Sequence, residues 1–487
     1  MTAKTAANMA AKTEPNDLLH GPLIGKVFAF VIPLMITNLL QTFYSAADMI
    51  VVGLSNVSGA IGAIGTTSAM IALIVNVFSG FAVGSSVVVA RYIGEGNKEK
   101  TQSAVHTALF TGLVSGLFCM LLGLVISRPV LALLGDEGHI LDLATLYTKI
   151  YFAGVPFLAL TNFLISIFRA KGDTKTPLYV LSSTGILNVG LNLLFVLSFG
   201  MSVDGVAIAT AISNLASAAI LLYILSRDDS WCRFSFKKLA FDRRTLKDII
   251  YNGLPAGVQG ALFSLSNMII QSSIIGLNNA ICPGGSDIID GNAAGASIES
   301  FAYTATNSVC QASITFTSQH YGARKYKRIG KVMASCYLVT FIIAEVVSLS
   351  ILIFRVPLIH CYITAPLAVQ TAETRLYNMM IPYCTLAFME VGSGTLRGLN
   401  KSMLSTTVSL VGSCLLRIVW IATVFKANPT LEVVYLSYPI SWTVTALCHL
   451  VLSLRTRRHY IKEAQLAGIT EDRYLKRDQC LNKGRYH

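Results

Sequence analysis

Asp48 stands in apolar sequence, with Ala46 and Ala47 before it and Met49, Ile50, Val51 and Val52 after it. A carboxylate placed in hydrocarbon is costly, and where it is kept it marks a path for protons or ions. Asn188 and Asn192 lie four apart in another apolar run, so one helix face carries both. Asn162 and Thr210 sit in the runs on either side of that one. One carboxylate with amide and hydroxyl oxygens around it can hold a proton or a small hard cation. The same amides also serve as hydrogen-bonded glue between helices. Spacing alone leaves both readings open. Later in the chain Glu299, Glu345, Glu390 and Arg417 fall inside apolar runs. Arg417 is expected to pair with Glu390 or Glu299, the alternative being a snorkelling position at a lipid interface.

These residues need a scaffold, and composition says which kind. The chain has 487 residues, 53% hydrophobic and 13% charged. Soluble domains carry about 25% charged residues. The deficit runs the whole length, and a span needs about 20 apolar residues. Twelve candidates follow: 24–48, 61–90, 102–125, 141–168, 177–199, 205–226, 246–276, 292–319, 331–354, 372–396, 403–425 and 432–454. They are too long, and too poor in alternation, for barrel strands.

The order of landmarks repeats at an offset near 226 residues. Pro33, Tyr44, Ser45 and Asp48 are echoed by Pro255, Phe263, Ser264 and Asn267. Lys149, Pro156 and Arg169 are echoed by Arg375, Pro382 and Arg397, while Cys282–Gly291 is extra in the second half. By this register Glu390 falls near the level of Asn162, and Arg417 within the Asn188–Asn192 stretch. A duplicated apolar chain predicts two lobes of six helices facing each other across a central cavity, the plan of many secondary transporters. The segments read as a polar N-terminus (1–20), a first lobe (21–226), a basic linker (227–247), a second lobe (248–455) and a tail (456–487). Asn38, Gln41, Tyr44, Gln259, Phe263 and Met268 are placed on the cavity by helix position, with packing the alternative for each. The mid-span acids outnumber the single mid-span base, Arg417, which favours cationic cargo.

The net charge of +13 is not a nucleic-acid footprint. The basic residues crowd the N-terminus, every second loop and the tail, which together hold 32 of the 38. The positive-inside rule then puts both termini and the linker in the cytoplasm. The linker, basic and aromatic around Trp231 and Phe234, is expected along the headgroups or as an ordinary cytoplasmic connection. Several chemistries are excluded by missing motifs. There is no GxxxxGK[ST] phosphate cradle, no HExxH and no GxSxG, and the histidines lack ligand spacing. No enzyme activity, cofactor or resident metal is expected.

With these residues in order, the chain resembles the multidrug and toxic compound extrusion (MATE) family, most closely its bacterial DinF/MepA-like branch. The markers are Gly21-Pro22, Ile32-Pro33-Leu34, Ala47-Asp48 with Val51-Val52-Gly53, and Arg169-Ala-Lys-Gly-Asp-Thr-Lys-Thr-Pro177. Gly205-Val-Ala-Ile-Ala-Thr210, Gly253-Leu-Pro-Ala256 and Gln311-Ala-Ser-Ile-Thr315 complete the set. The resemblance implies an all-α membrane protein of twelve transmembrane helices in two pseudo-twofold-related six-helix bundles. It further implies a monomeric antiporter in a bacterial inner membrane, exporting lipophilic organic cations against H⁺ or Na⁺. Its coupling site would join Asp48, Asn162, Asn188, Asn192 and Thr210. Many relatives carry Asp where this chain has Asn192, which leaves the choice of coupling ion open. The rival is a flippase for lipid intermediates, whose pyrophosphate cargo calls for several central basic residues.

Overall fold

The computed structural model describes residues 17–53, 60–133, 138–235 and 241–466. Among them there are helices and turns and no strands, as the backbone of a spanning chain requires when no water is present to satisfy its polar groups. The first half contains α1 (Leu23–Gly53), α2 (Ala60–Gly94), α3 (Lys98–Leu133), α4 (Gly138–Ala170), α5 (Lys175–Leu193) and α6 (Val203–Ser226). The second contains α7 (Arg243–Ile281), α8 (Asp287–Gly322), α9 (Tyr326–Ile353), the short α10 (Arg355–His360), α11 (Pro366–Met380), α12 (Tyr383–Gly398), α13 (Ser402–Ser409), α14 (Leu416–Trp420) and α15 (Leu431–Leu466). Counting α11–α12 and α13–α14 as one crossing each gives six spans per lobe.

Ten of the twelve are long and apolar enough to cross a bilayer. The other two are α8 and the α11–α12 pair. Both lie at the centre of the second lobe, where protein covers them. Pro382 separates α11 from α12, whereas Pro33, Pro156 and Pro255 sit inside unbroken helices. Two crossings carry π-helical turns, Leu194–Ser198 after α5 and Leu410–Leu415 and Ile421–Phe425 around α14. By the internal repeat these are equivalent spans, so the distortion is duplicated too. Such turns re-aim side chains and often flank functional positions.

The lobes cross in a symmetric way. α1 packs on α8, α7 packs on α2, and α2 packs on α8 between them. The approach is close at the end where the basic loops lie. A Cβ on Gly80 would meet Gly257 N at 2.3 Å, one on Gly84 would meet Ile249 O at 2.4 Å, and one on Gly94 would meet Gln319 O at 2.0 Å. Gln319 Nε2 donates to Ala170 O at 2.7 Å, and Arg91 pairs with Asp248 across the same seam. The basic-loop end of the molecule is therefore shut.

α1 belongs to both lobes. Its first half, Leu23 to Leu34, is buried with Val309, Phe316, Val332 and Val339 of α8 and α9. Its last turn, Val51 and Val52, is buried with Val196, Val203 and Val206 of the first lobe. Two details sharpen the sequence reading. Phe234 of the linker is buried against His106 at 5.2 Å instead of facing headgroups. α15 runs to Leu466, where Tyr460 stacks on Tyr326 and reaches Leu399 O at 3.3 Å. Cys282 and Cys361 are both free thiols.

Candidate functional site

Asp48 lies two turns beyond Gln41 on α1, where that helix turns onto α5. Asn192 Nδ2 donates to Asp48 Oδ1 at 2.5 Å. Asn192 Nδ2 also reaches Asn188 Oδ1 at 3.3 Å, and Asn188 Nδ2 makes a longer contact to Thr210 Oγ1 at 3.4 Å. The chain Asp48–Asn192–Asn188–Thr210 thus ties α1, α5 and α6 together. Asn192 is completely buried, yet its Oδ1 has no hydrogen-bond partner. A buried carbonyl oxygen left without a donor is uncommon and calls for an explanation. Tyr147 and Tyr151 of α4 lie within electrostatic reach of Asp48. The sequence reading misses both. Their spacing of four, facing the Asp48 level, is the available signal. Asn162 stands apart from this chain and donates to Leu158 O of its own helix at 3.0 Å.

The second lobe is wired differently, and here the sequence expectation is corrected. Arg417 makes no ion pair with Glu299 or Glu390 among the described residues. Its guanidinium lies over the Tyr438 ring at 4.2 Å and its Nε donates to Ser441 Oγ at 2.8 Å. The partner of Glu299 is Arg375, at 2.6 Å. Arg375 also donates to Asn292 Oδ1 at 2.7 Å, which in turn receives Tyr435 OH at 3.2 Å. Asn292 Nδ2 reaches Gln271 Oε1 at 2.9 Å. Glu390 contacts the Cys310 thiol and lies within electrostatic reach of Arg397, with no ion pair between the two among the described residues. Arg397 and Arg169 look in the sequence like the first residues of basic loops. Both instead occupy the last turns of spans, α12 and α4. With Arg169, Arg375 and Arg397 inside, bases are no longer outnumbered by acids, and the argument from charge count to cationic cargo loses its premise.

Between the lobes lies a cavity of about 350 Å³. Asn38, Gln41, Thr42 and Ser45 of α1 form one wall, Tyr303, Thr304, Asn307 and Gln311 of α8 the other, and Arg169 of α4 borders it as well. Asn38 Nδ2 donates to Ser308 Oγ at 3.1 Å across the seam. Of the six residues placed on the cavity by sequence, Asn38 and Gln41 border it and the other four do not. Tyr44 packs against Gly185 and its hydroxyl donates to Ser182 O at 3.2 Å. Gln259 is buried and accepts from Arg397 at 3.0 Å. Phe263 is half-buried and Met268 is 63% exposed on α7.

Comparison with known proteins agrees with this architecture. The MatE family model matches residues 33–194 and 255–423, one segment in each half. The chain is 24% identical over 434 residues to the "Probable multidrug resistance protein YoeA" of Bacillus subtilis, covering 86% of this chain and 90% of that protein. It is 27% identical over 251 residues to the "Multidrug export protein MepA" of Staphylococcus aureus, covering 51% of this chain and 55% of that one. Among solved structures, an outward-facing multidrug resistance MATE family transporter of the MOP superfamily superposes with a TM-score of 0.84 at 21% identity, covering 92% of this chain and 99% of that one. A point mutant of the Vibrio cholerae MATE transporter VcmN gives 0.82 at 19%, covering 90% and 98%. Two duplicated six-helix lobes, a polar chain on one carboxylate and a family match over both halves lead to one conclusion: this chain belongs to the MatE family and is a multi-pass membrane transporter.

Proposed function

We propose that this transporter is a cation-coupled antiporter that exports lipophilic organic compounds, organic cations among them, from a bacterial cytoplasm by alternating access. The observation that carries this is the pairing of Asp48 with Asn192, whose own carbonyl oxygen is buried and unsatisfied. Asp48 without a proton accepts from the Asn192 amide nitrogen. Asp48 with a proton has an O–H to give, and a turn of the Asn192 amide would offer it Oδ1. That turn breaks the bonds to Asn188 and so disturbs the contact of α1 with α5 and α6. A Na⁺ ion in the same place would draw on the same oxygens, Asp48, Asn192, Asn188 and Thr210. Either ion is substrate here, and the residues present suit both.

α1 carries the signal to the lobes. One end is packed into the second lobe and the other into the first, with Asn38, Gln41, Thr42 and Ser45 on the cavity between. Loosening the Asp48 end changes the angle between lobes and the cavity wall in one motion. Positive-inside charge assigns the shut, basic-loop end to the cytoplasm, so this state faces outward. The flippase reading is disfavoured. A pyrophosphate wants several free cations, and of Arg169, Arg375, Arg397 and Arg417, Arg169 alone borders the cavity.

The test is ethidium efflux from proteoliposomes under an imposed pH or Na⁺ gradient. Asp48→Asn is expected to lower gradient-driven efflux at least tenfold. Equal efflux by variant and wild type would remove Asp48 from coupling.

A further inference from the structure

The internal repeat pairs Arg169 with Arg397, and each stands two turns after a polar residue on the same helix face. In the second lobe that residue is Glu390, a carboxylate within electrostatic reach of Arg397 though not in ion-pair contact with it. In the first lobe it is Asn162, which carries no charge and bonds to its own backbone. Arg397 is further held by Gln259. The Arg169 guanidinium has no hydrogen bond or ion pair to any described residue; its Nε is buried without a partner, as is that of Arg397, but Arg397 has the Gln259 bond and Arg169 has none. The C-terminal dipole of α4 favours a cation at this place, but a dipole does not satisfy the five donors of a guanidinium. Arg169 borders the interlobe cavity, and no carboxylate lines that cavity among the described residues. Around it stand the amides of Asn38, Gln41, Asn307 and Gln311 and the hydroxyls of α1 and α8.

We propose that the cavity binds cargo through an acidic group, a carboxylate or an equivalent oxyanion on an otherwise apolar molecule, and that this group pairs with Arg169, whose lobe lacks the counter-charge that Glu390 gives Arg397 at longer range. A guanidinium fork matches a planar oxyanion with two parallel hydrogen bonds, and the pair is stronger in a site with little water. The amide rim supplies donors for a second oxygen. The exported compounds therefore include acidic and zwitterionic amphiphiles beside cations. The proposal rests on the cavity being the cargo site. It does not rest on Asp48, because binding needs no gradient.

The experiment measures equilibrium binding of dansylglycine and of its uncharged counterpart dansylamide to the full chain in phosphatidylcholine nanodiscs. Wild type is expected to prefer dansylglycine by about tenfold or more. Arg169→Gln is expected to erase the preference, and Arg169→Lys to keep part of it. Asn162→Glu, which gives the first lobe the second lobe's arrangement, is expected to erase it with Arg169 still in place. Its fold is checked by the same thermal unfolding midpoint as wild type. Adding phosphatidylglycerol separates two sources of the anion. Competition that vanishes in Arg169→Gln assigns the natural occupant to a lipid headgroup, and no competition assigns it to a soluble anion. Both results support the oxyanion site. No preference in wild type, or a preference unchanged in Arg169→Gln and Asn162→Glu, overturns it. If the coupling reading alone is wrong, ethidium efflux no longer depends on Asp48 while this preference remains.

Discussion

In the first lobe one carboxylate, Asp48, holds one hydrogen bond, and a buried acceptor beside it is left empty. In the second lobe the carboxylate Glu299 is bound to Arg375, which is bound to Asn292, which is bound to Gln271 and Tyr435. The same duplicated half has been fitted out in two ways. A chain with an open place can change when an ion arrives. A carboxylate held by an ion pair within a continuous network keeps its helices at fixed distances, although Arg375 Nε is itself buried without a partner. One lobe can therefore act as the switch and the other as the frame against which it moves.

The largest expected effect tests that division. Glu299→Gln leaves the Arg375 guanidinium without its counter-charge, and breaking a buried pair costs about 3–5 kcal/mol. Asp48→Asn removes a charge that has no ionic partner, so the cost of burying it goes too, and stability should stay within about 1 kcal/mol of wild type. Thermal unfolding in nanodiscs reads both. Equal losses would mean that the lobes are not differently employed.

A second contrast sets the shut end of the molecule against glycines that touch nothing. A methyl on Gly84 would press on Ile249 O and the Gly253 backbone, both on α7. The seam has to part, at about 1–3 kcal/mol for overpacking. Gly190 and Gly276 have no atom within 4 Å of a Cβ. Gly84→Ala is expected to shift the population toward the state open at the basic-loop end, by about tenfold for each 1.4 kcal/mol. Gly190→Ala and Gly276→Ala should leave it in place. Spin-label distances at that end, for example between Glu95 and Lys247, measure the shift. No shift in Gly84→Ala would show that the seam does not set the state.

The same contrast shows what the sequence could and could not say. Twelve crossings and the duplication were legible because hydropathy and landmark order need no tertiary knowledge. Asp48, Asn188 and Asn192 were legible as polar residues in apolar runs, and the structure joins them with Thr210. The partner of Glu299 was not legible. Arg375 lies 76 residues away, at the start of a crossing that Pro382 interrupts, and nothing local tells it from a loop base. Arg169 and Arg397 were hidden by the rule that located the loops. Basic residues at span ends report topology, and one that turns back into the protein looks the same in a string of letters. The asymmetry between Asn162 and Glu390, seven residues before each arginine, was in the sequence throughout. It gains meaning once the two arginines are seen to be inside.

The smallest effect concerns the turns that follow those arginines. After Arg169, Lys171 pairs with Asp228 of the linker, the two side chains 15% and 16% exposed. After Arg397, the corresponding turn is held without an acid: Asn252 Nδ2 donates to Asn400 Oδ1 at 2.9 Å, and Lys401 lies 5.9 Å over the Tyr460 ring. Burial opposes ionisation of Asp228, but its bonds to Lys171 and to the Ser230 backbone outweigh this and hold its carboxyl below the usual 3.8. A lowered carboxyl value means that the stabilisation is complete above the ordinary carboxylate range and is lost as pH falls through the folded-state value. The first-lobe turn should therefore loosen in acid below about pH 4 while the second-lobe turn does not. At neutral pH, Asp228→Asn should cost about 0.5–1 kcal/mol, the range for a partly exposed pair. Amide hydrogen exchange over 171–176 would then quicken roughly two- to fivefold, and exchange over 399–402 would not change. Equal quickening at both turns would mean that the linker clamp stabilises the whole shut end, and that the lobes are less independent at this surface than at their centres.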